Sequence, residues 1–316
     1  MKEEEKMKKK FLAVLTAMFL TTSVVAPSIS FASTTDTSTK KGINEKLGVP
    51  IVVYGGNLSD TEKESVKKSL DVASEAEVEE ITVTGADLVK YISDGDARSR
   101  MYSSAKITRK DAGAGLVINI VTPQNITQVT SDMYSNAMLT AGIEDAVVEV
   151  AAPKAVTGHS ALVGIYKAYE VTTGEKLDTE RTDVANEELS VATDLAQNSG
   201  VDDEKVSQLL TEIKKQIAEQ KPATKEDVEK IVNEQLSKLE INLSDKDRQL
   251  LIDLMNKISN LDIDFSKWGS QLEDLSSTIK DKLGSITEDI KSDTGFWASV
   301  KNFFQNIMDG ISGIFN

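Results

Sequence analysis

Cysteine is absent from the 316 residues, and histidine occurs once, at His159. A chain without cysteine cannot rely on disulfide bonds, so it needs a packed apolar core or a long helical array. Zinc sites are built mainly from cysteine and histidine, and a single histidine leaves only carboxylates as further ligands. The sequence therefore predicts no metal and no cofactor.

Positive charge is also scarce, with 36 lysine and arginine residues against 51 aspartate and glutamate residues and a net charge of −15. Residues 1–32 carry five lysines and three glutamates, so the rest of the chain carries −17. Such a surface repels the phosphates of nucleic acid and anionic lipid. We therefore expect no nucleic-acid partner.

The N-terminal segment has the three parts of a secretory signal peptide. Three consecutive lysines precede an apolar stretch over residues 11–25, and the small residues Ser30 and Ala32 follow it. The apolar stretch is shorter than the roughly 20 residues that span a bilayer. The sequence predicts a signal peptide over residues 1–32 that is cleaved after Ala32, a linker over residues 33–42, and a secreted protein that associates with the cell envelope.

Residues 43–176 are predicted to form an α/β domain, because β-rich runs alternate with helical ones. The order β-α-β-α-β-β-α-β-α, with one hairpin between the third and fourth strands, predicts a mixed sheet with helices packed on it. The third strand alternates apolar and polar residues and should be half exposed, whereas the fourth is apolar enough to be central. The five predicted strands are VPIVVYGG, VEEITVTG, SSAKITRKD, LVINIVTP and AVVEVAAP.

His159 follows a Val-Thr-Gly tripeptide that also occurs before Ala86, each time between a strand and a helix. In both places the threonine is expected to cap the helix and the glycine to allow the turn into it. His159 then corresponds to Ala86, so its position is predicted to be structural. The positive end of the helix dipole would favour a neutral imidazole.

Two loops and the acidic residues are candidates for ligand-binding or catalytic sites. Gly55 and Gly56 lie between a strand and a helix but lack the spacing of a phosphate-binding loop, which favours a plain turn. The loop at residues 93–96 offers two carboxylates to calcium, but Arg98 occupies the third acidic position of an EF-hand, which favours a solvated turn. A carboxylate pair for glycoside hydrolysis cannot be identified among so many acidic residues. The sequence predicts no catalytic, cofactor-binding or metal-binding residue.

Several segments resemble the YpuA-like family of predicted secreted Gram-positive proteins, a domain of unknown function. The resemblance lies in the signal peptide and in the segments GVPIVVYGGNLSDTEKESVKKSL, GLVINIVTP and VTGHSALVGIYKAYE. It extends over roughly residues 45–260. The resemblance implies export and a two-part layout, and it supplies no site residue.

Helical periodicity replaces the β-rich runs in the second half of the chain. Residues 178–261 are predicted to form an all-α helical bundle, since capped amphipathic helices follow one another through short connections. Residues 262–292 repeat apolar residues at steps of three and four, over about three heptads. This heptad-like helix is predicted either to associate with a second copy, to fold back on the bundle, or to order conditionally.

The last segment, residues 293–316, is predicted to be an amphipathic terminal helix. Its apolar face suits insertion into a membrane surface, docking on an envelope protein partner, or packing against the protein's own core. The polar face carries one lysine and one aspartate, so anionic lipid gains no electrostatic advantage. The residues predicted to make the membrane or partner contact are Phe296, Trp297, Phe303, Phe304, Ile307 and Phe315.

Taken together, these patterns favour an exported, non-enzymatic protein that binds a ligand or associates with the cell envelope. The alternative is a hydrolase that uses a carboxylate pair to cleave a cell-wall polymer. The first interpretation is favoured because the chain lacks a nucleophile motif, a metal motif and paired histidines.

Overall fold

The computed structural model describes residues 46–292, with only the backbone described for residues 265, 266 and 284–292. The described residues all fall in one compact unit. The predicted signal peptide with its cleavage site at Ala32, the linker, and the amphipathic tail from Phe296 to Phe315 lie outside the described residues.

The first part of the described chain has the predicted order of strands and helices. Ser59 accepts a hydrogen bond from the Glu62 amide, and the Glu62 carboxylate accepts one from the Ser59 amide, so the first helix begins with a capping box. The elements are β1 (Ile51–Gly55), α1 (Asp60–Ser69), β2 (Glu79–Val83), α2 (Gly85–Tyr91), β3 (Ser104–Arg109), β4 (Leu116–Ile120), α3 (Ser131–Ala141), β5 (Ala146–Ala151) and α4 (His159–Thr173).

The five strands form one mixed sheet in the order β2-β1-β3-β5-β4. β1 is parallel to β2 and antiparallel to β3, while β5 is antiparallel to β3 and parallel to β4. Helices cover both faces: Val53 faces the main core beside α4, and Val52 and Tyr54 pack against Val66 of α1 on the opposite face. The predicted mixed sheet with packed helices is therefore confirmed.

Two predictions about strand neighbours are wrong. β3 and β4 do not form a hairpin, because β5 lies between them and pairs with both. β4 is an edge strand rather than a central one. Its side chains explain this position, since Ile118 is buried whereas Val117 and Asn119 are exposed, as expected for a strand covered on one face only.

β3 is more buried than its alternating sequence predicts, because both of its faces are covered. Lys106 lies on the face toward α1 and is almost fully buried. Its ammonium group donates to the Leu70 carbonyl oxygen at 2.7 Å and lies 2.7 Å from the Glu149 carboxylate and 3.4 Å from that of Glu75. Lys106 gives β3 the alternating sequence of a half-exposed strand, although these partners allow the side chain to be buried.

The second part of the described chain is helical, as predicted. Ser244 and Thr224 accept hydrogen bonds from the amides three residues later, which confirms the helix starts read from the sequence. The helices are α5 (Thr179–Asn198), α6 (Asp203–Gln220), α7 (Lys225–Lys238), α8 (Asp245–Asn260) and α9 (Phe265–Ser292).

The first half of α9 folds back on the bundle. Trp268, Leu272 and Ile279 are buried, and α9 packs on α6 and on α3. The Trp268 indole N–H donates to the Leu139 carbonyl oxygen of α3 at 3.1 Å. Association with a second copy through the heptad-like stretch stays a prediction.

Helix α3 joins the two parts of the molecule, since every residue from Asp132 to Ala141 is buried. It packs on β4 on one side and on α5, α6 and α9 on the others. The predicted boundary between residues 176 and 178 falls in the loop between α4 and α5, and the next predicted boundary, at residues 261 and 262, falls in the loop before α9. Among residues 46–292, no helix is both long and apolar enough to cross a bilayer.

Candidate functional site

A cleft of about 1200 Å³ opens where the α/β part meets helices α5 and α8. One wall is formed by the end of α2, the loop that leads to β3, and the first turn of α4. The other wall is formed by one face of α5 and the last turn of α8. Because ligand sites are concave and combine apolar side chains with a few polar groups, this cleft is the candidate functional site.

Glycines hold the loop before β3 against the sheet. A Cβ atom on Gly55 would lie 2.5 Å from the Met101 carbonyl oxygen, and one on Gly85 would lie 2.3 Å from that of Ala97. Only a residue without a side chain allows such close backbone approach. Gly55, considered above as part of a phosphate-binding loop, thus serves to bring residues 97–101 to the rim of the cleft.

The acidic loop that was considered for calcium contributes to the same wall. The Ser93 amide and hydroxyl both donate to the Asp183 carboxylate of α5, which ties the loop to the opposite wall. Asp96 accepts hydrogen bonds from its neighbour Arg98, and Asp94 lines the cleft. Among the described residues, no group of three or more metal-ligating side chains is arranged to hold an ion.

His159 lines the cleft, and its predicted correspondence with Ala86 is wrong. Thr84 is the N-cap of α2, so Ala86 is the second residue of that helix. At the second site the N-cap is Gly158, in the left-handed region with φ 108°, and His159 is the first residue of α4. The same tripeptide therefore begins the two helices in different registers, and Ala86 gives no information about His159.

The His159 imidazole has one defined partner. Its Nε2 lies 3.3 Å from the Thr193 hydroxyl oxygen. The hydroxyl proton is shared between two carbonyl oxygens of its own helix, those of Leu189 at 3.1 Å and Ser190 at 3.0 Å. In the tautomer protonated at Nε2, the ring therefore donates to the hydroxyl oxygen and leaves Nδ1 as an acceptor.

Burial lowers the pKa of His159 below its usual value of 6.5. Desolvation disfavours the charged imidazolium, so the ring is neutral at pH 7. In this form His159 can accept a hydrogen bond from a ligand or act as a general base. The imidazole can therefore contact a ligand in the cleft, and the structural role predicted from the sequence stays a prediction.

Helix α5 supplies most of the opposite wall through residues spaced along one face. Glu187 forms an ion pair with Lys257 of α8, with a carboxylate oxygen 2.7 Å from the ammonium nitrogen. Asn186 donates its amide N–H to the Thr182 carbonyl oxygen, and Ser190 donates to that of Asn186. One amide N–H of Asn186 and the hydroxyl proton of Ser190 are thus used within the helix.

The chain is similar to known proteins over most of its length. Residues 54–275 match a family described as "Protein of unknown function (DUF1002)". The chain is also 37% identical over 315 residues to "Uncharacterized protein YpuA" of Bacillus subtilis (strain 168), covering 98% of each chain. The chain belongs to the DUF1002 family. No solved structure matches it.

The predicted resemblance to YpuA-like proteins is therefore confirmed. The descriptions of the family and of its Bacillus subtilis member name no function. The segment that defines the DUF1002 family includes every residue that lines the cleft, from Leu88 to Asn260. The cleft is thus a feature of the family region and not of the N-terminal or C-terminal extensions.

The cleft residues of α5 were not among the sites predicted from the sequence. Glu180, Asp183 and Glu187 recur at steps of three and four, and this polar stripe is the signal that could have marked a functional helix face. A solvated helix face has the same pattern. The stripe therefore indicates a cleft wall only when the loop at residues 93–102 is known to lie across from it. The predicted contact residues of the tail lie outside the described residues.

Proposed function

We propose that this DUF1002 protein is exported and binds a ligand of the cell envelope in the cleft, without catalysing a reaction. The observation that carries the proposal is the cleft itself, which places the single histidine opposite the polar face of α5. Clefts of about 300–1,000 Å³ hold small molecules, so about 1200 Å³ accommodates a segment of a polymer. The signal-peptide pattern supports an extracellular location.

A hydrolase that cleaves a cell-wall polymer is the second candidate. It is supported by the neutral His159 imidazole and by the carboxylates of α5 that line the same cleft. Two of these carboxylates are already engaged, Asp183 by Ser93 and Glu187 by Lys257. Binding without catalysis is favoured because these contacts hold the carboxylates as structural ties between the walls.

We expect the mature protein to co-sediment with isolated Gram-positive cell walls, and Ser190→Trp to reduce the bound fraction at least about fivefold. Ser190 is an exposed residue of α5 at the cleft, so an indole there fills the space that a ligand would occupy. Bound and free protein are measured by sedimentation at 150 mM salt, where weak surface electrostatics are screened.

The matched control is Ser237→Trp, which adds the same side chain at an exposed position of α7 outside the cleft. Equal binding by both variants would overturn the assignment of the ligand site to the cleft. Release of soluble wall fragments by the wild-type protein, measured in the same tubes, would favour the hydrolase instead.

We further propose that the C-terminal tail attaches the protein to a membrane surface. Burial of a large apolar side chain contributes roughly 1.5–3 kcal/mol, so three or four inserted aromatic residues support reversible attachment. The mature protein is expected to float with neutral liposomes, and deletion of residues 295–316 to abolish flotation. Salt should matter little because the segment is nearly neutral.

Two results would contradict attachment to lipid. Full-length protein that stays in solution with both neutral and anionic liposomes would exclude the membrane role. If the deletion also lowers the melting temperature, the tail packs on the protein's own core; if it does not, an envelope protein is the partner.

A further inference from the structure

We propose that the ligand of the cleft is a short peptide segment that carries both an ammonium group and a carboxylate. The acceptor atoms of α4, α5 and α8 would hold the ammonium group, and Arg100 would bind the carboxylate. This inference rests on the proposed function, since it names the class of ligand for the same cleft.

The first step is the hydrogen-bonding capacity that remains in the cleft. Asn186 and Asn260 each donate a side-chain N–H to a carbonyl oxygen of their own helix, at 2.7 Å and 2.6 Å. Each amide therefore keeps its side-chain oxygen as an acceptor and its second N–H as a donor. Ser190 likewise donates its only hydroxyl proton, to the Asn186 carbonyl oxygen at 3.0 Å. These cleft residues can thus accept hydrogen bonds from a ligand.

His159 adds a fourth acceptor on the opposite wall. In the tautomer that donates from Nε2 to the Thr193 hydroxyl oxygen, Nδ1 retains its lone pair. Acceptors on two facing walls suit a group with several N–H donors that point in different directions. A protonated primary amine has three such donors on one atom.

The charges of the cleft agree with this assignment. Asp94 and Glu180 line the cleft, and neither forms an ion pair among residues 46–292. With Asp183 they give an excess of negative charge, since Glu187 is neutralised by Lys257. A cationic group is therefore attracted to this region of the cleft.

Arg100 provides the opposite charge. Its guanidinium group is exposed at the cleft and has no ion-pair partner in the described part of the chain. Arginine presents a planar fork of donors that matches a carboxylate. A ligand with an ammonium group alone would leave Arg100 unused, and an anionic ligand would be repelled by the carboxylates. A peptide with both groups satisfies each of them.

The probe is a lysine-containing tripeptide with free amino groups and a free carboxylate, titrated into the mature protein by calorimetry at 150 mM salt. Acetylation of both amines is expected to weaken binding at least about tenfold, because charge-assisted hydrogen bonds are lost. Amidation of the carboxylate should weaken binding to a similar extent. The Arg100→Gln variant should bind the amidated peptide as well as it binds the peptide with a free carboxylate. The comparisons of the modified peptides on the wild-type protein do not depend on any variant folding.

A matched pair of variants separates the cleft from general surface charge. Glu180→Gln is expected to weaken binding of the free peptide about fivefold or more, whereas Glu229→Gln, at an exposed position of α7, should leave it unchanged. Equal losses from both variants would show non-specific attraction to an acidic protein and would overturn the proposal.

NMR gives a second readout, because the only histidine signal belongs to His159. An ammonium group that donates to Nδ1 should lower the pKa of His159 further, since it stabilises the neutral ring. The ionisable groups that share the cleft are Asp94, Arg100, Glu180, Asp183, Glu187 and Lys257. The signal itself comes from the imidazole, so a midpoint that moves with bound peptide reports on His159.

The outcomes also distinguish this inference from the proposed function. Wall binding that depends on the cleft, together with no binding of the free tripeptide, would refute the peptide and leave the binding function intact. Tight binding of the acetylated, amidated peptide would refute the charge assignment. Wall binding that is insensitive to Ser190→Trp would refute the proposed function itself, whatever the tripeptide does.

Discussion

Replacing Lys214 with methionine is expected to lower the free energy of unfolding by about 3–5 kcal/mol, because it leaves a buried carboxylate without its counter-charge. Lys214 of α6 is fully buried, and its ammonium nitrogen lies 2.7 Å from the Glu188 carboxylate of α5. It also donates to the Asn136 carbonyl oxygen of α3 at 2.9 Å. The pair therefore connects the three helices at the centre of the molecule.

The size of the effect follows from burial and not from the ion pair as such. Lys225 and Asp253 form an ion pair on the surface, where both side chains are nearly half exposed. Lys225→Met should cost less than about 1 kcal/mol, since water replaces the lost partner. Urea denaturation of both variants measures the difference. Equal small losses would contradict a buried, charged pair.

A double replacement tests the cause further. Lys214→Met combined with Glu188→Leu removes both charges and leaves apolar side chains of similar volume. It is expected to recover most of the stability lost in Lys214→Met, because the unpaired carboxylate is the main penalty. A double variant as unstable as the single one would point to the other hydrogen bonds of the cluster, such as that from Thr140 to Glu188.

Local features of the fold were predictable from the sequence, whereas neighbour relations were not. The capping box of Ser59 and Glu62 and the cap at Ser244 depend on residues within one turn, so the sequence contains all the information needed. The insertion of β5 between β3 and β4 depends on contacts between strands about 30 to 47 residues apart in the chain. Apolar character marked LVINIVTP as a strand but did not determine its neighbours.

The cleft was unpredictable for a related reason. Its walls come from segments between Leu88 and Asn260, and no single segment has a binding motif. The buried cluster around Lys214 was equally hidden, since a lysine near an apolar helix face usually extends to solvent. His159 and the loop at residues 93–96 were considered in advance, but the reason for dismissing His159 depended on a helix register that the tripeptide does not specify.

Gly158→Ala is expected to lower the free energy of unfolding by about 3 kcal/mol and to disturb His159. Gly158 has φ 108°, a conformation that costs a residue with a side chain roughly 1–2 kcal/mol. A Cβ atom there would lie 2.8 Å from the Tyr134 hydroxyl oxygen and 2.9 Å from Cγ2 of Ile126, and such overpacking adds about 1–3 kcal/mol. Tyr134 also donates to the Gly158 carbonyl oxygen at 2.6 Å, so the new methyl group displaces a buried hydrogen bond.

Gly174→Ala is the matched control, because Gly174 ends the same helix with φ 73° and a Cβ atom there would meet nothing within 4 Å. It carries the backbone penalty alone and should cost about 1 kcal/mol. Urea denaturation measures both losses, and the NMR signal of the single histidine shows whether its environment changes. Equal losses in the two variants, with an unchanged His159 signal in both, would mean that packing around Gly158 does not position the histidine at the cleft. A larger loss and a shifted signal for Gly158→Ala alone would show that the turn into α4, rather than the Val-Thr-Gly sequence, places His159 where a ligand can reach it.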